Sequence, residues 1–161
     1  MAVTCLSYAV QGWGKGELWL EDDRVVWHEL PHPRRSGSTR TPRRASGRGE
    51  ELVRRFRAYF SGERQDFDDV ELQLEDWTPF QLDVLSALRR VPYGEVVSYS
   101  DLARLAGHPR AQRAAGTFCA KNRFGLIVPC HRVVGSTGPG SYGSLGPGYK
   151  QRLLALEGVT V

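Results

Sequence analysis

The sequence predicts an α+β fold in two parts, and three observations carry that prediction. The first thirty residues hold three short stretches rich in β-branched and aromatic residues, separated by glycine and aspartate pairs. After Trp77, two helix-start signatures follow one another closely. At 161 residues and 40% hydrophobic content, the chain can fill one large core or two small ones.

The stretches Thr4 to Val10, Gly16 to Leu20 and Arg24 to Leu30, broken by Gly12-Trp13-Gly14 and Asp22-Asp23, predict an antiparallel meander. Pro31 to Gly49 lacks any periodic apolar pattern and carries Arg34, Arg35, Arg40, Arg43, Arg44 and Arg48 among Ser, Gly, Thr and Pro. It reads as a loop, with a solvated basic linker and a DNA-contacting arm both open. Leu52, Phe56, Tyr59 and Phe60 then fall at helical spacing, with Gly62 placed to end that helix. Alternation of Val70, Leu72 and Leu74 predicts a further strand near Phe67 to Leu74. An N-terminal domain over 1–76 follows, with the basic loop at 31–49.

The second domain, 77–161, opens on a helix whose Thr78, Pro79 and Gln81 supply cap, first-turn proline and capping box. Phe80, Val84, Leu85 and Leu88 give it an apolar face, and Val91-Pro92-Tyr93-Gly94 stops it. Ser98 and Asp101 repeat the capping pattern for a helix from Ser100 to Ala106. Gly107-His108-Pro109 turns the chain into a third helix, from about Arg110 to Lys121. Two short helices around a glycine-containing turn are what a helix-turn-helix requires, although helical hairpins that never touch DNA share the pattern.

Composition narrows the function. No apolar segment approaches the ~20 residues that span a bilayer, and no basic stretch leads into an apolar run at the start. A soluble protein is expected, cytoplasmic or, in a eukaryote, nuclear, with no membrane partner. Cys5, Cys119 and Cys130 are too few and too odd for a disulfide framework, which fits reduced thiols. A net charge of +4 and a pI near 9.2 are compatible with a polyanionic partner.

The chemistry concentrates at Pro129-Cys130-His131-Arg132-Val133. The apolar run Leu126-Ile127-Val128 before it predicts a buried strand with a thiol at its end, next to an imidazole that can serve as base. A small buried thiol beside a histidine facing the other way is the alternative. Asn122 precedes this run, and a glycine-rich loop, Gly135 to Gly148, with six glycines and two prolines, follows it. An apolar helix from Lys150 to Glu157 closes the chain.

This order, from Trp77 to Gly158 and most specifically from Asn122 through Val134, resembles the O6-alkylguanine-DNA alkyltransferases, or methylated-DNA-protein-cysteine methyltransferases. The resemblance implies a ribonuclease H-like N-terminal domain and a winged-helix-like C-terminal one. It implies repair of DNA by direct reversal, in which Cys130 takes a methyl or other alkyl group from O6 of guanine, and O4 of thymine, and keeps it. A thioether is not hydrolysed, so each molecule acts once. His131 would be the base and Glu157 its orienter, by the logic of triads. Asn122 would orient the turn that carries the thiol, and Tyr99 would assist at the bound guanine.

By the same resemblance the third helix, with Gln112, Arg113 and Ala114, enters the minor groove of double-stranded DNA. Arg113 then fills the gap left by a flipped nucleotide. Val133, Tyr142 and Ser144 would line the guanine pocket. The family run has a single Gly-Tyr pair before its lysine, whereas this chain has both Tyr142-Gly143 and Gly148-Tyr149-Lys150, which leaves two registers open for the pocket wall. Arg123 stands where a proline is frequent, and Gly125 supplies little wall.

Some relatives hold zinc in the N-terminal domain. Here Cys5, His28 and His32 fall short of the four ligands a closed site needs, so neither metal nor other cofactor is expected. A monomer is expected. Three other readings remain: an alkyltransferase-like protein that binds lesions without repairing them, a helix-turn-helix alkylation sensor, and a Cys-His hydrolase.

Overall fold

The computed structural model describes residues 3–33 and 47–161, which divide into two compact units. One comprises Met1–Leu74 together with Arg123–Gly125, the other Glu75–Asn122 and Leu126–Val161. The arginines at 34, 35, 40, 43 and 44 lie outside the described residues.

In the first unit, β1 (Val3–Val10), β2 (Gly14–Glu21) and β3 (Arg24–His32) form an antiparallel sheet in that order. Asp22 and Asp23 both adopt positive φ, 49° and 66°, the two-residue turn geometry that matches strand twist and that short polar side chains tolerate. Alternation then decides the faces: Leu6 and Tyr8, Leu18 and Leu20, and Val25, His28 and Leu30 are buried, while Trp19 pairs with Trp27 on the opposite face. Helix α1 (Gly47–Phe60) covers the inner face with Leu52, Phe56, Tyr59 and Phe60. Burying each such side chain contributes about 1.5–3 kcal/mol. Gly49 permits the approach, because a Cβ there would sit 2.8 Å from Leu20 Cδ1. Gly62, at φ 101°, follows the helix as anticipated.

Two expectations are corrected here. The predicted loop is shorter than 31–49, since Pro31 and His32 extend β3 and α1 begins at Gly47. The predicted strand near 67–74 is a single bridge, in which Leu72 faces Val25 with backbone bonds of 2.9 Å from Val25 to Glu71 and from Gln73 to Val25. Phe67, Val70 and Leu72 are the buried residues, and that spacing does not keep the period of two that a strand needs.

In the second unit, α2 (Pro79–Arg89) starts with the complete capping box: Thr78 accepts from Gln81 N–H, and Gln81 reciprocates on Thr78 N–H at 2.9 Å. Val84, Leu85, Ala87 and Leu88 are its buried residues. A two-residue strand, β4 (Val97–Ser98), leads into α3 (Tyr99–Leu105), which Ser98 and Asp101 cap in the same reciprocal way. Gly107 at φ 82° turns the chain toward α4 (Gln112–Ala120), which is shorter at both ends than the sequence suggested. β4 pairs in parallel with β5 (Val133–Val134), matching Val97 to Val133. The last helix, α5 (Gly146–Leu156), starts inside the expected glycine-rich loop and has Glu157 as its C-terminal cap. Among the described residues, no helix is long and apolar enough to cross a membrane.

Candidate active site

Leu126, Ile127 and Val128 are buried as expected, yet they form turns and not a strand, with Leu126 at φ 72°. The chain after them winds into one 3₁₀ turn, Cys130–Arg132. This correction decides the chemistry. In a strand, His131 and Arg132 would point to opposite faces, whereas three residues per turn lets both reach one acceptor.

That acceptor is Glu157, at the C-terminal cap of α5. His131 Nε2 donates to Glu157 Oε2 at 2.7 Å, with both side chains fully buried. Arg132 grips the same carboxylate through Nε at 2.9 Å and Nη2 at 3.2 Å, and its Nη1 donates to the Val91 carbonyl at 2.8 Å. Gly94 N–H completes the set at 3.0 Å. Burial alone would raise the Glu157 pKa, but His131 and Arg132 overcome it and hold the carboxyl far below the ordinary carboxylate range. Burial pushes the His131 pKa down, against the opposing pull of Glu157. His131 is therefore a neutral imidazole with its proton on Nε2, and Nδ1 is the ring nitrogen able to take another.

Cys130 is buried, at 2% exposure, and burial first, then a hydrogen bond with Cys119, raises its thiol well above the ordinary range. Lys150 and a hydrogen bond from Asn122 act in the opposite direction. Asn122 Nδ2 also donates to the Val128 carbonyl at 2.9 Å, the same oxygen that receives Cys130 N–H at 2.8 Å. The amide thus braces the turn that carries the thiol.

Lys150 and Arg132 are the functional candidates that the sequence reading passed over. Lys150 is fully buried, donates to Tyr99 Oη at 3.4 Å and to the Ser141 carbonyl at 3.3 Å, and stands 5.5 Å from the Tyr99 ring centroid. Burial lowers its pKa. The signal was present, because Lys150, Leu153, Leu154 and Glu157 share one helical face at i, i+3, i+4 and i+7, which places a lysine among core residues. Burial raises the Tyr99 phenol, helped by Cys119 and Cys130, so it stays protonated and able to donate.

Tyr99 also lines a cavity of about 500 Å³ with Gln112, Arg113, Gly116, Thr117, Ala120 and Ser141. Gln112, Arg113 and Ala114 lie on the exposed face of α4, while Ala115 is buried behind them. Ser100 Oγ donates to Gln112 Oε1 at 2.8 Å, joining α3 to α4. Of the expected pocket residues, Val133 is fully buried in the ladder with Val97, Tyr142 is half-buried beside Tyr149 with ring centroids 6.2 Å apart, and Ser144 is exposed. Ser141 is the serine on the wall of the cavity beside Tyr99. In the first unit, His28 donates through Nδ1 to the Gly125 carbonyl and accepts through Nε2 from Tyr8, both at 2.6 Å, while Cys5 faces Glu17 at 4.0 Å.

Comparison with known proteins gives a consistent set. The family model for the 6-O-methylguanine DNA methyltransferase DNA-binding domain matches residues 79–159. A methylated-DNA–protein-cysteine methyltransferase of Mycolicibacterium paratuberculosis is 44% identical over 126 residues, covering 78% of this chain and 72% of that protein. The crystal structure of Mycobacterium tuberculosis O6-methylguanine methyltransferase superposes with a TM-score of 0.80 at 33% identity, over 97% of this chain and 93% of the other. The structure of M. tuberculosis OGT in complex with DNA gives 0.78 at 35% identity, over 95% and 91%.

Proposed function

The chain belongs to the 6-O-methylguanine DNA methyltransferase family, and from that premise we propose that Cys130 is its alkyl acceptor, activated by His131 and Glu157. The activity is repair of DNA by direct reversal, with an alkyl group transferred to a cysteine of the protein. The observation that carries the assignment of roles is the buried His131–Glu157 contact of 2.7 Å, one residue from the thiol, which fixes the imidazole tautomer needed for a base.

In this reading the two units are an N-terminal domain, resembling ribonuclease H, and a C-terminal acceptor domain in which α3 and α4 act as a helix-turn-helix of winged-helix type. The exposed, small-residue face of α4 enters the minor groove. Arg113 occupies the stack as the alkylated guanine rotates into the cavity, which costs a few kcal/mol and less for a weakened pair. DNA is the partner of a monomer, in a reducing compartment such as cytoplasm or nucleus.

The thiol proton passes to His131 Nδ1, directly or through one water. Sulfur then attacks the sp³ carbon on O6, the carbon–oxygen bond breaks, and its electron pair leaves on the guanine. The Tyr99 phenol offers the ring nitrogen a hydrogen bond or proton, and Lys150 stabilises the charge that develops on the phenol oxygen. The product is a thioether and an intact guanine, and O4 of thymine can react by the same path. No step regenerates the thiol.

Intact-mass measurement after mixing with O6-methylguanine duplex tests this. One methyl should appear, on Cys130, and Cys130→Ser should bind the duplex without accepting it. A methyl on Cys5 or Cys119, or full repair by the serine variant, would overturn the assignment.

A further inference from the structure

The C-terminal end of α5 is closed in two ways. Gly158, at φ 82°, lets Val159 N–H return to the Leu154 carbonyl at 2.9 Å and sets its own N–H on the Ala155 carbonyl at 3.0 Å, a Schellman motif with Glu157 as the cap residue. The next carbonyl that the helix cannot satisfy internally is that of Leu156, and it accepts from Tyr93 Oη at 3.1 Å. The same half-buried Tyr93 lays its ring beneath Arg132, whose guanidinium carbon lies 5.7 Å from the ring centroid, within cation–π range. Its neighbours in the turn after α2 add to the grip: Gly94 N–H donates to the Glu157 carboxylate at 3.0 Å, and the Val91 carbonyl accepts from Arg132 Nη1 at 2.8 Å. Gly94 holds φ 84°, and a Cβ there would lie 3.4 Å from the Glu157 carbonyl oxygen, so the turn is pressed against the cap.

We propose that Tyr93 is a positioning residue for alkyl transfer: its hydroxyl fixes the backbone from which Glu157 projects, and its ring seats the guanidinium that grips the same carboxylate. This rests on the reading of His131 and Glu157 as the activating unit. A carboxylate shared by an imidazole and a guanidinium can swing toward either. The His131 contact of 2.7 Å is kept by holding both the backbone behind the carboxylate and the Arg132 head beside it, and Tyr93 touches both. A phenylalanine at 93 would supply the ring and leave the Leu156 carbonyl without this donor; a leucine would supply neither. Displacing a catalytic group by about 1 Å can cost about a hundredfold in rate, so a small shift of Glu157 is enough to register.

The full-length protein and its variants are compared in single turnovers of methyl transfer from O6-methylguanine duplex, over a range of excess protein, at a temperature where circular dichroism shows each one folded. Tyr93→Leu should lower the saturating rate about tenfold and leave the half-saturating protein concentration unchanged, while Tyr93→Phe, which keeps the ring, should lose about threefold. In a Glu157→Gln background, Tyr93→Leu should cost less than about twofold more, because groups acting through one another are not additive. A merely structural tyrosine would lower the melting temperature in both backgrounds and leave the saturating rates of the folded proteins alone. An unchanged saturating rate in Tyr93→Leu, an equal loss in both backgrounds, or a loss confined to the half-saturating concentration would overturn the proposal. Should Tyr93→Leu fail to fold, Tyr93→Phe is put through the same cycle, and no loss or an equal loss in both backgrounds overturns it. Methyl transfer by Glu157→Gln alone at the wild-type rate would instead overturn the activating role of His131 and Glu157.

Discussion

Glu157 is where stability and activation meet, so its replacement separates them. In Glu157→Ala, Arg132 keeps its buried charge but loses both bonds to the carboxylate, and His131 loses the partner that fixes its tautomer. Removing one member of a buried ion pair costs about 3–5 kcal/mol. For a chain of this size each kcal/mol shifts the melting temperature by about 2–4 °C, so a fall of about 6–20 °C is expected. Glu157→Gln retains the volume and an acceptor for Gly94 N–H, and should lose about half as much.

The pH dependence has a definite sign. The folded carboxyl titrates far below the ordinary glutamate value of about 4.5. The contribution of Glu157 is therefore fully present above that value and shrinks as pH falls below it. Thermal unfolding by circular dichroism, repeated between neutral pH and about pH 3, reads this directly. In the still-folded variants, alkylation by a free O6-substituted guanine should slow by about tenfold or more, since orientation of a general base is lost. Adding His131→Ala to Glu157→Ala should leave the rate little worse than the slower single variant, because residues acting as a unit are not additive. Melting within about 2 °C of wild type together with an unchanged rate would refute the argument.

Arg113→Ala should slow repair of duplex DNA far more than reaction with a free O6-substituted guanine, because only the duplex requires a base to be displaced; equal losses on both substrates would count against it. Since burial lowers the His131 pKa, the acid limb of the alkylation rate should lie below the ~6.5 of a free imidazole, and His131→Ala should lower the rate and change the profile. Coincident pH profiles for the two folded proteins would remove the proton relay. Thr78→Ala should cost about 1 kcal/mol in thermal unfolding by losing the cap of α2, with alkyl transfer at the wild-type rate.

Short-range chemistry was legible from the order of residues alone. Capping boxes at Thr78 and Ser98, the β-branched and aromatic stretches on either side of Asp22-Asp23, and the spacing of Leu52, Phe56 and Tyr59 are local signals, and each appears in the fold where it was read. The Asn122-to-Val134 run was equally legible as a family signature, because its chemistry is written in consecutive residues. Long-range packing governed the rest. Leu126 to Val128 looked like a strand because burial and strand formation leave the same apolar mark over so short a run; only the path into the turn at Cys130 separates them. That turn brings His131 and Arg132 together on Glu157, twenty-six and twenty-five residues away, and no spacing rule encodes a partner that distant. Likewise the burial of Lys150 depends on how α5 meets the acceptor turn, which is a property of packing and not of neighbouring residues.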